Sequence, residues 1–145
     1  MGRAIRTVRE SVGGKKVYTD VVYNKKGQID KTSEPYFPES TVYWNSNTYD
    51  IAGRTVKQTA PDGNSYSYEY NGLTTITTDP IGNTTTKTNN LCGQLARSTD
   101  NGGTFVTYKY NADGKCIELV GPRTTIYMEY DLAGNRIYLD DPDLG

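Results

Sequence analysis

Residues 49–54 read YDIAGR, and this hexapeptide indicates the fold because it recurs along the chain. Close copies are YNADGK at 110–115 and YDLAGN at 130–135, and a weaker copy is YNKKGQ at 23–28. A degenerate copy at 88–94, TNNLCGQ, keeps the spacing and has threonine in place of tyrosine. Gly93, Gly114 and Gly134 are 21 and 20 residues apart, and Gly53 precedes Gly93 by 40. The chain therefore contains an internal repeat of about 20 residues.

Each copy predicts a tight turn between two strands. An Asp or Asn at the first turn position can accept hydrogen bonds from the following backbone, and the glycine three residues later can take a positive φ. The tyrosine before the turn is predicted to end one strand, and the residues after the turn begin the next. Second turn signals lie between the copies, at 61–63, 79–82, 101–103, 121–122 and 141–143. One repeat therefore predicts one β-hairpin, joined to its neighbours in an antiparallel meander.

Composition favours the same all-β interpretation. Ile, Leu, Val and Phe together number only 26 of 145 residues, whereas the chain has 13 Tyr and 20 Thr. Tyrosine and threonine are strand formers, and the 15 Gly and 6 Pro supply turns. No helical periodicity continues beyond a turn or two. We therefore predict an all-β fold of antiparallel hairpin repeats, forming a curved meander sheet with a lean core rich in tyrosine.

The N-terminal third is less regular. Residues 1–40 are predicted to form a hairpin with a two-residue loop, Gly13-Gly14, followed by a proline-containing loop over 33–40 that leaves the ladder. Tyr36 and Phe37 in that loop either cap one end of the sheet or belong to an interaction loop. Residues 41–145 form the repeat sheet, and the two regions are predicted to make one continuous domain, 1–145.

The repeats resemble those of the Rhs/YD-repeat family, with Tyr-Asp-x-x-Gly-Arg at 49–54 and the copy at 130–136 as the best matches. That family includes bacterial polymorphic-toxin carriers, shell subunits of insecticidal toxin complexes and the animal teneurins. The similarity covers about residues 17–143. It implies a β-sheet strip that winds into a hollow shell around a C-terminal effector, or a cell-surface scaffold. It also implies a secreted or cell-surface location.

Two departures from the family pattern limit what the resemblance implies. The chain has too few repeats to close a cage, and it lacks the C-terminal core with the aspartyl self-cleavage motif. Asp79-Pro80-Ile81-Gly82-Asn83 keeps only part of that motif and lies in the middle of the chain. We therefore expect part of a larger shell, or a short member that builds a sheet by assembly.

The expected function is that of a structural and interaction protein, not an enzyme, with no cofactor. The partner is the chain itself, as a homo-oligomer or the remainder of a larger shell, or an encapsulated effector. The repeat-motif residues, with structural roles, are Tyr49, Asp50, Gly53, Arg54, Gly93, Tyr110, Asn111, Gly114, Tyr130, Asp131 and Gly134. The last strand, with Ile137, Tyr138 and Leu139, is predicted to be an assembly edge, whereas Lys15-Lys16 and Lys25-Lys26 protect the other side.

Charge and composition exclude several other classes of function. With 16 Lys and Arg against 17 Asp and Glu, the net charge of −1 argues against nucleic acid or an anionic membrane as partner. The sequence has no histidine, which removes histidine-dependent acid–base, nucleophilic and zinc chemistry. No apolar run approaches about 18 residues, and the charged N-terminal dodecapeptide lacks a signal-peptide pattern. We therefore expect no membrane insertion and no signal peptide.

The remaining polar groups predict little chemistry. Cys92 and Cys116 are separated too widely for a zinc site without histidine; they could form a disulfide, but two reduced thiols are the default. Asp140, Asp141 and Asp143 are interpreted as a solvated tail and not as a calcium site.

Exposed aromatic side chains leave one alternative function open, a carbohydrate-binding surface. Its candidate contacts are Tyr66, Tyr68 and Trp44. Against it, glycan-binding repeats of similar length carry a tryptophan in nearly every repeat, and this chain has one.

Overall fold

The computed structural model describes residues 3–142, which form thirteen β-strands and no helix. The strands are β1 (Ala4–Glu10), β2 (Lys16–Tyr23), β3 (Ile29–Ser33), β4 (Trp44–Tyr49), β5 (Thr55–Thr59), β6 (Ser65–Asn71), β7 (Thr74–Thr78), β8 (Thr84–Asn89), β9 (Leu95–Thr99), β10 (Phe105–Tyr110), β11 (Cys116–Val120), β12 (Thr125–Tyr130) and β13 (Arg136–Asp140). The chain divides into two compact units, one up to Tyr68 and the other from Glu69 onward.

Both units are antiparallel meanders in which each strand pairs with the next along the chain. In the first unit β1 pairs with β2 over seven residue pairs, from Ala4–Val22 to Glu10–Lys16, and the pairing continues in order to β6. In the second unit β7 to β13 pair in order. The predicted all-β fold of antiparallel hairpins is confirmed. A domain boundary near residue 40 stays a prediction.

Threonine accounts for much of the pairing between β7 and β8. β7 and β8 place threonines opposite each other at Thr77–Thr85 and Thr78–Thr84, and the hydroxyls of Thr74 and Thr88 lie 3.0 Å apart. Cross-strand pairs of β-branched side chains stabilise a pleated surface without deep burial. These strands are therefore stabilised by cross-strand side-chain pairs and do not depend on a large hydrophobic core.

The core is lean in the part of the chain that the structure describes. No side chain there is completely buried; Tyr36, at 9% exposure, is the one buried hydrophobic residue, and Ser33, at 3%, is the one buried polar residue. Apolar residues at turn tips, such as Ile51, Leu91 and Leu132, are almost fully exposed. Other interactions must therefore hold the hairpins together.

The N-terminal segment departs from the sequence prediction in two places. The β1–β2 loop is longer than two residues: the Ser11 N–H donates to the Lys15 carbonyl, which leaves three residues at the tip. The proline-containing loop does not leave the ladder altogether, because Tyr36 returns to make an antiparallel bridge with Tyr18. The two prolines flank this bridge, so neither missing N–H is needed in it.

The predicted protection of one edge by lysines is also wrong. Lys16 begins β2, which is paired on both sides, and Lys25 and Lys26 lie in the turn after β2. The outer strand of the first unit is β1, which carries Arg6, Arg9 and Glu10. Across residues 3–142, no helix has the length and apolar character needed to span a membrane.

Candidate functional site

One backbone turn recurs throughout the structure, and its parts are seen at 50–54. The Asp50 N–H donates to the Arg54 carbonyl (3.0 Å), the Gly53 N–H donates to the Asp50 carbonyl (3.1 Å), and φ of Gly53 is 85°. The same pair of bonds begins at Ser11, Asn24, Asp50, Ala60, Asp79, Asn90, Asp100, Asn111 and Asp131. The second turn signals at 61–63, 79–82 and 101–103 therefore belong to the same turn type.

The first side chain of the turn closes it. Oδ1 of Asp50, Asn111 and Asp131 accepts the N–H of the residue four positions later, at 2.8–2.9 Å. The Arg54 backbone bond to Asp50, and the Asn135 side-chain bond to Asp131, are the main causes that lower the pKa of these two carboxyl groups. These acids are therefore ionised acceptors inside their own turns.

The tyrosine before the turn joins its hairpin to the preceding strand. The Tyr49 hydroxyl donates to the carbonyl of Ile29 (2.7 Å), and the Tyr110 hydroxyl donates to that of Leu95 (2.8 Å). Ile29 and Leu95 are each the first residue of the strand before. Tyr130 lies differently, with the Lys115 ammonium 5.1 Å from its ring centre.

The degenerate copy is aligned one residue away from the sequence prediction. Asn89, not Thr88, stands at the tyrosine position, since Asn89 pairs with Leu95 after a register shift as Tyr49 pairs with Thr55. Gly93 has φ of 81°, as the repeat requires.

The residue after the turn glycine reaches the next turn of the repeat. The Gln28 side-chain amide donates to the Gly53 carbonyl (3.2 Å), and that of Gln94 donates to Gly114 (2.9 Å). Lys115 donates to Gly134 in the same way. A Cβ at Gly53 or Gly114 would lie 3.1 Å from the glutamine nitrogen, so the glycine allows this approach as well as the positive φ. Sequence reasoning missed these donors, although Gly-Gln occurs at both 27–28 and 93–94.

A second set of polar side chains closes on itself in the N-terminal segment. Arg6 makes two bonds to the Asp20 carboxylate (2.7 and 2.8 Å), and the Tyr36 hydroxyl donates to Asp20 Oδ2 (2.7 Å). The Tyr18 ring lies 5.8 Å from that of Tyr36. The hydrogen bond from Arg6, followed by that from Tyr36, lowers the pKa of Asp20 to about 2. We call Arg6, Tyr18, Asp20 and Tyr36 the N-terminal cluster.

The sequence left Tyr36 as either a capping residue or part of an interaction loop, and sequence reasoning missed Arg6 and Asp20. The signal needed was the β1–β2 register, in which Arg6 lies opposite Asp20. The hydrogen-bonding groups of the N-terminal cluster are directed at one another, which is typical of a structural site. Phe37, the second aromatic residue of the predicted cap or interaction loop, is exposed.

The three candidate glycan contacts do not share a face. Side chains of paired residues point to the same side of a sheet and alternate along a strand. By the β4–β5–β6 register, Tyr66 lies with Asn47 and Gln58, whereas Trp44 lies on the face of Ser46. Tyr68 donates its hydroxyl to Gln58 (2.7 Å), and the Lys31 ammonium lies 4.5 Å above the Trp44 ring.

The predicted assembly edge lies on an exposed strand. β13 pairs with β12 through Met128–Leu139 and Glu129–Tyr138. The exposed fractions of Ile137, Tyr138 and Leu139 are 64%, 50% and 37%. Within residues 3–142 no pairing is found on the other side of β13.

The cysteines and acids show no shared site among the described residues. Cys92 is an exposed thiol in a turn, and Cys116 is a half-buried thiol at the start of β11. No group of three His, Cys, Asp or Glu side chains within 3–142 could hold a metal ion. Of the acidic tail, Asp143 lies outside the described residues.

The fold matches solved structures although no family model and no curated protein matches the sequence. The crystal structure of TcdB2-TccC3-Cdc42 superposes with a TM-score of 0.73 at 17% identity, over 98% of this chain and 10% of that one. The crystal structure of TcdB2-TccC3-TEV gives 0.71 at 17% identity, with the same coverage. The chain thus spans about a tenth of the length of the chains it matches. The resemblance to Rhs/YD repeats is confirmed at the level of the fold.

Proposed function

We propose that the chain is a non-catalytic scaffold, a run of YD-repeat hairpins that acts through sheet assembly or cargo enclosure. The observation that carries this proposal is the fold match to TcdB2-TccC3 chains. Because the chain spans about a tenth of those chains, enclosure would require further repeats, in the same polypeptide or in other copies. A secreted or cell-surface location belongs to the same proposal.

The use of polar groups supports a scaffold more than an enzyme. Asp50, Asp79 and Asp131 accept hydrogen bonds within their turns, and these bonds lower their pKa values. A general acid or base near neutral pH needs a pKa close to 7, which these bonded carboxylates move away from. The polar side chains thus connect hairpins and close turns.

Assembly is proposed to occur along β13. Its middle residues, Ile137 to Leu139, are exposed and uncharged, and an exposed strand with such residues pairs readily with another strand. The partner is a second copy of this chain or the rest of a larger shell. A charge introduced in the middle of this strand should oppose pairing, because it would be desolvated at the new interface.

Light scattering after size exclusion, over a wide concentration range, tests this proposal. We expect the mass to rise with concentration, and Leu139→Lys to lower the oligomeric fraction at least severalfold. Leu132→Lys, at a fully exposed turn tip, is the matched control and should assemble normally. A monomer at every concentration would contradict assembly with a second copy, and equal effects of the two variants would contradict assembly through β13.

A carbohydrate-binding surface is a second proposal, supported by the 46% exposure of Tyr66. Aromatic rings exposed on a sheet can stack on the apolar face of a sugar. A glycan array should then show saturable binding that Tyr66→Ala abolishes. Trp44→Ala, on the opposite face, should leave binding unchanged. No saturable binding to any glycan would contradict this function.

A further inference from the structure

Recurring turns that begin with Asn or Asp differ in how the first and fifth side chains bond to each other, whereas the turns that begin at Ser11 and Ala60 have neither residue in first place. In the two Asn turns with glutamine at the fifth position, the Asn24 and Asn90 side-chain amides donate to Oε1 of Gln28 and Gln94, at 2.9 and 3.0 Å. In three of the Asp turns the side-chain bond between the first and fifth residues has the opposite direction. Oδ2 of the aspartate accepts from the residue four positions later, in the pairs Asp50–Arg54, Asp79–Asn83 and Asp131–Asn135, at 2.7–3.0 Å.

The difference follows from the donor and acceptor groups of the two side chains. Both Asn and Asp use Oδ1 to accept backbone N–H groups of the turn. The second group of Asn is an NH₂ donor, so it holds the oxygen of the glutamine amide. The second oxygen of Asp is an acceptor, so it takes up a donor from the fifth residue.

Orientation of the glutamine decides what its nitrogen can reach. With Oε1 of Gln94 held by Asn90, Nε2 faces the Gly114 carbonyl at 2.9 Å. The same relay joins Asn24, Gln28 and Gly53 in the first unit. A short asparagine at the fifth position, as at Asn83 and Asn135, bonds back to its own turn.

We infer that the first and fifth turn residues form a coupling code between YD hairpins. Asn with Gln ties a turn to the glycine of the next turn of the repeat, whereas Asp with Asn closes the turn on itself. The code determines which neighbouring hairpins open together. A role for this coupling in a shell rests on the proposed scaffold function. The partner recognised by an Asn–Gln turn is the glycine carbonyl of another YD turn.

Hydrogen exchange on the full chain, followed residue by residue, tests this code with three variants. Asn90→Asp keeps the acceptor of the turn but removes the donor that orients Gln94. Gln94→Asn shortens the side chain, so that its amide no longer reaches the Gly114 carbonyl, and it adds no charge. The double variant converts the turn fully to the Asp–Asn class. We expect each to speed exchange of the Gly114 and Lys115 amides by about two- to twelvefold, the range of one hydrogen bond.

The location and additivity of the effect separate coupling from general destabilisation. The 90–94 turn should keep its own protection in Asn90→Asp, and the double variant should match the single ones, because all three break one relay. Unchanged exchange at Gly114 and Lys115, or equal acceleration along the whole chain, would overturn the code. Since exchange is read on the unassembled chain, this result is independent of whether β13 assembles.

Discussion

The N-terminal segment and the later repeats are both antiparallel meanders, but different interactions hold them together. Around β1 to β3, the N-terminal cluster and Ser33 supply packing, and the only two buried residues of the described chain lie there. In the second unit no described residue is buried, and the turns carry recurring hydrogen bonds from Tyr110, Gln94 and Lys115. The comparison shows that a sheet can gain cohesion from turn side chains instead of a core.

Packing in the N-terminal cluster and hydrogen bonding in the repeat turns predict different sensitivity to substitution. Packing concentrates free energy in a few side chains, because removing one leaves a gap and unpaired polar groups. A series of similar hydrogen bonds distributes the stabilising free energy over many residues, because each bond contributes about 1 kcal/mol. Single changes should therefore be severe in the N-terminal cluster and mild in the repeats.

The largest effect is expected for Tyr36→Ala, which removes the buried ring and the hydroxyl on Asp20. Unfolding of the first unit should shift down by roughly 10 °C, and amides of β2 and β3 should lose protection. Phe37→Ala, at the exposed neighbour, is the matched control and should shift unfolding little. Equal effects of the two variants would mean that the N-terminal cluster does not hold this segment.

Gly114→Ala should have the next largest effect, and it acts in the repeats. Alanine is strained at φ of 80°, and its Cβ would meet the Gln94 amide. We expect a cost of about 1–2 kcal/mol, seen as faster amide exchange at 111–115. Gly102→Ala, at a glycine without positive φ, should cost less than about 0.5 kcal/mol. An unchanged stability in Gly114→Ala would contradict the need for a glycine with positive φ in this turn.

Tyr110→Phe tests the contribution of a single hydrogen bond between hairpins of the repeats. The variant keeps the ring and removes the hydroxyl that donates to Leu95. Denaturant unfolding should show a loss of about 0.5–1.5 kcal/mol. Tyr127→Phe, at an exposed tyrosine, is the control and should be near neutral. A loss of the same size in both would show that the inter-hairpin bond contributes nothing specific.

Acid should weaken the N-terminal cluster over a defined range of pH. The pKa of Asp20 is about 2 in the folded chain, below its value near 4 when unfolded. Its stabilisation is therefore complete above about pH 4 and is lost as the pH falls through about 2. A carboxyl titration by NMR should show this midpoint, and Arg6→Gln should raise it. A midpoint near 4 in the unaltered chain would contradict the ion pair.

Local chemistry explains how much could be predicted. The Asp and Asn first positions, the turn glycines and the strand-ending tyrosines were all read from hexapeptides, because each turn is closed by atoms within five residues. The degenerate copy was aligned on Thr88 instead of Asn89, because it has no tyrosine to mark the position before the turn. The β1–β2 loop was predicted too short because Gly13-Gly14 alone resembles a two-residue turn.

The all-β class, the repeat period and the hydrogen bonds within each turn follow from the amino-acid sequence, since these depend on neighbours along the chain. The partners that each side chain reaches across the sheet depend on the tertiary structure. The bonds from Tyr110 to Leu95 and from Gln94 to Gly114 span 15 and 20 residues, and they exist because strand pairing sets the register. The separation of Trp44 from Tyr66 also follows from register, in which a shift of one residue reverses the face of a side chain.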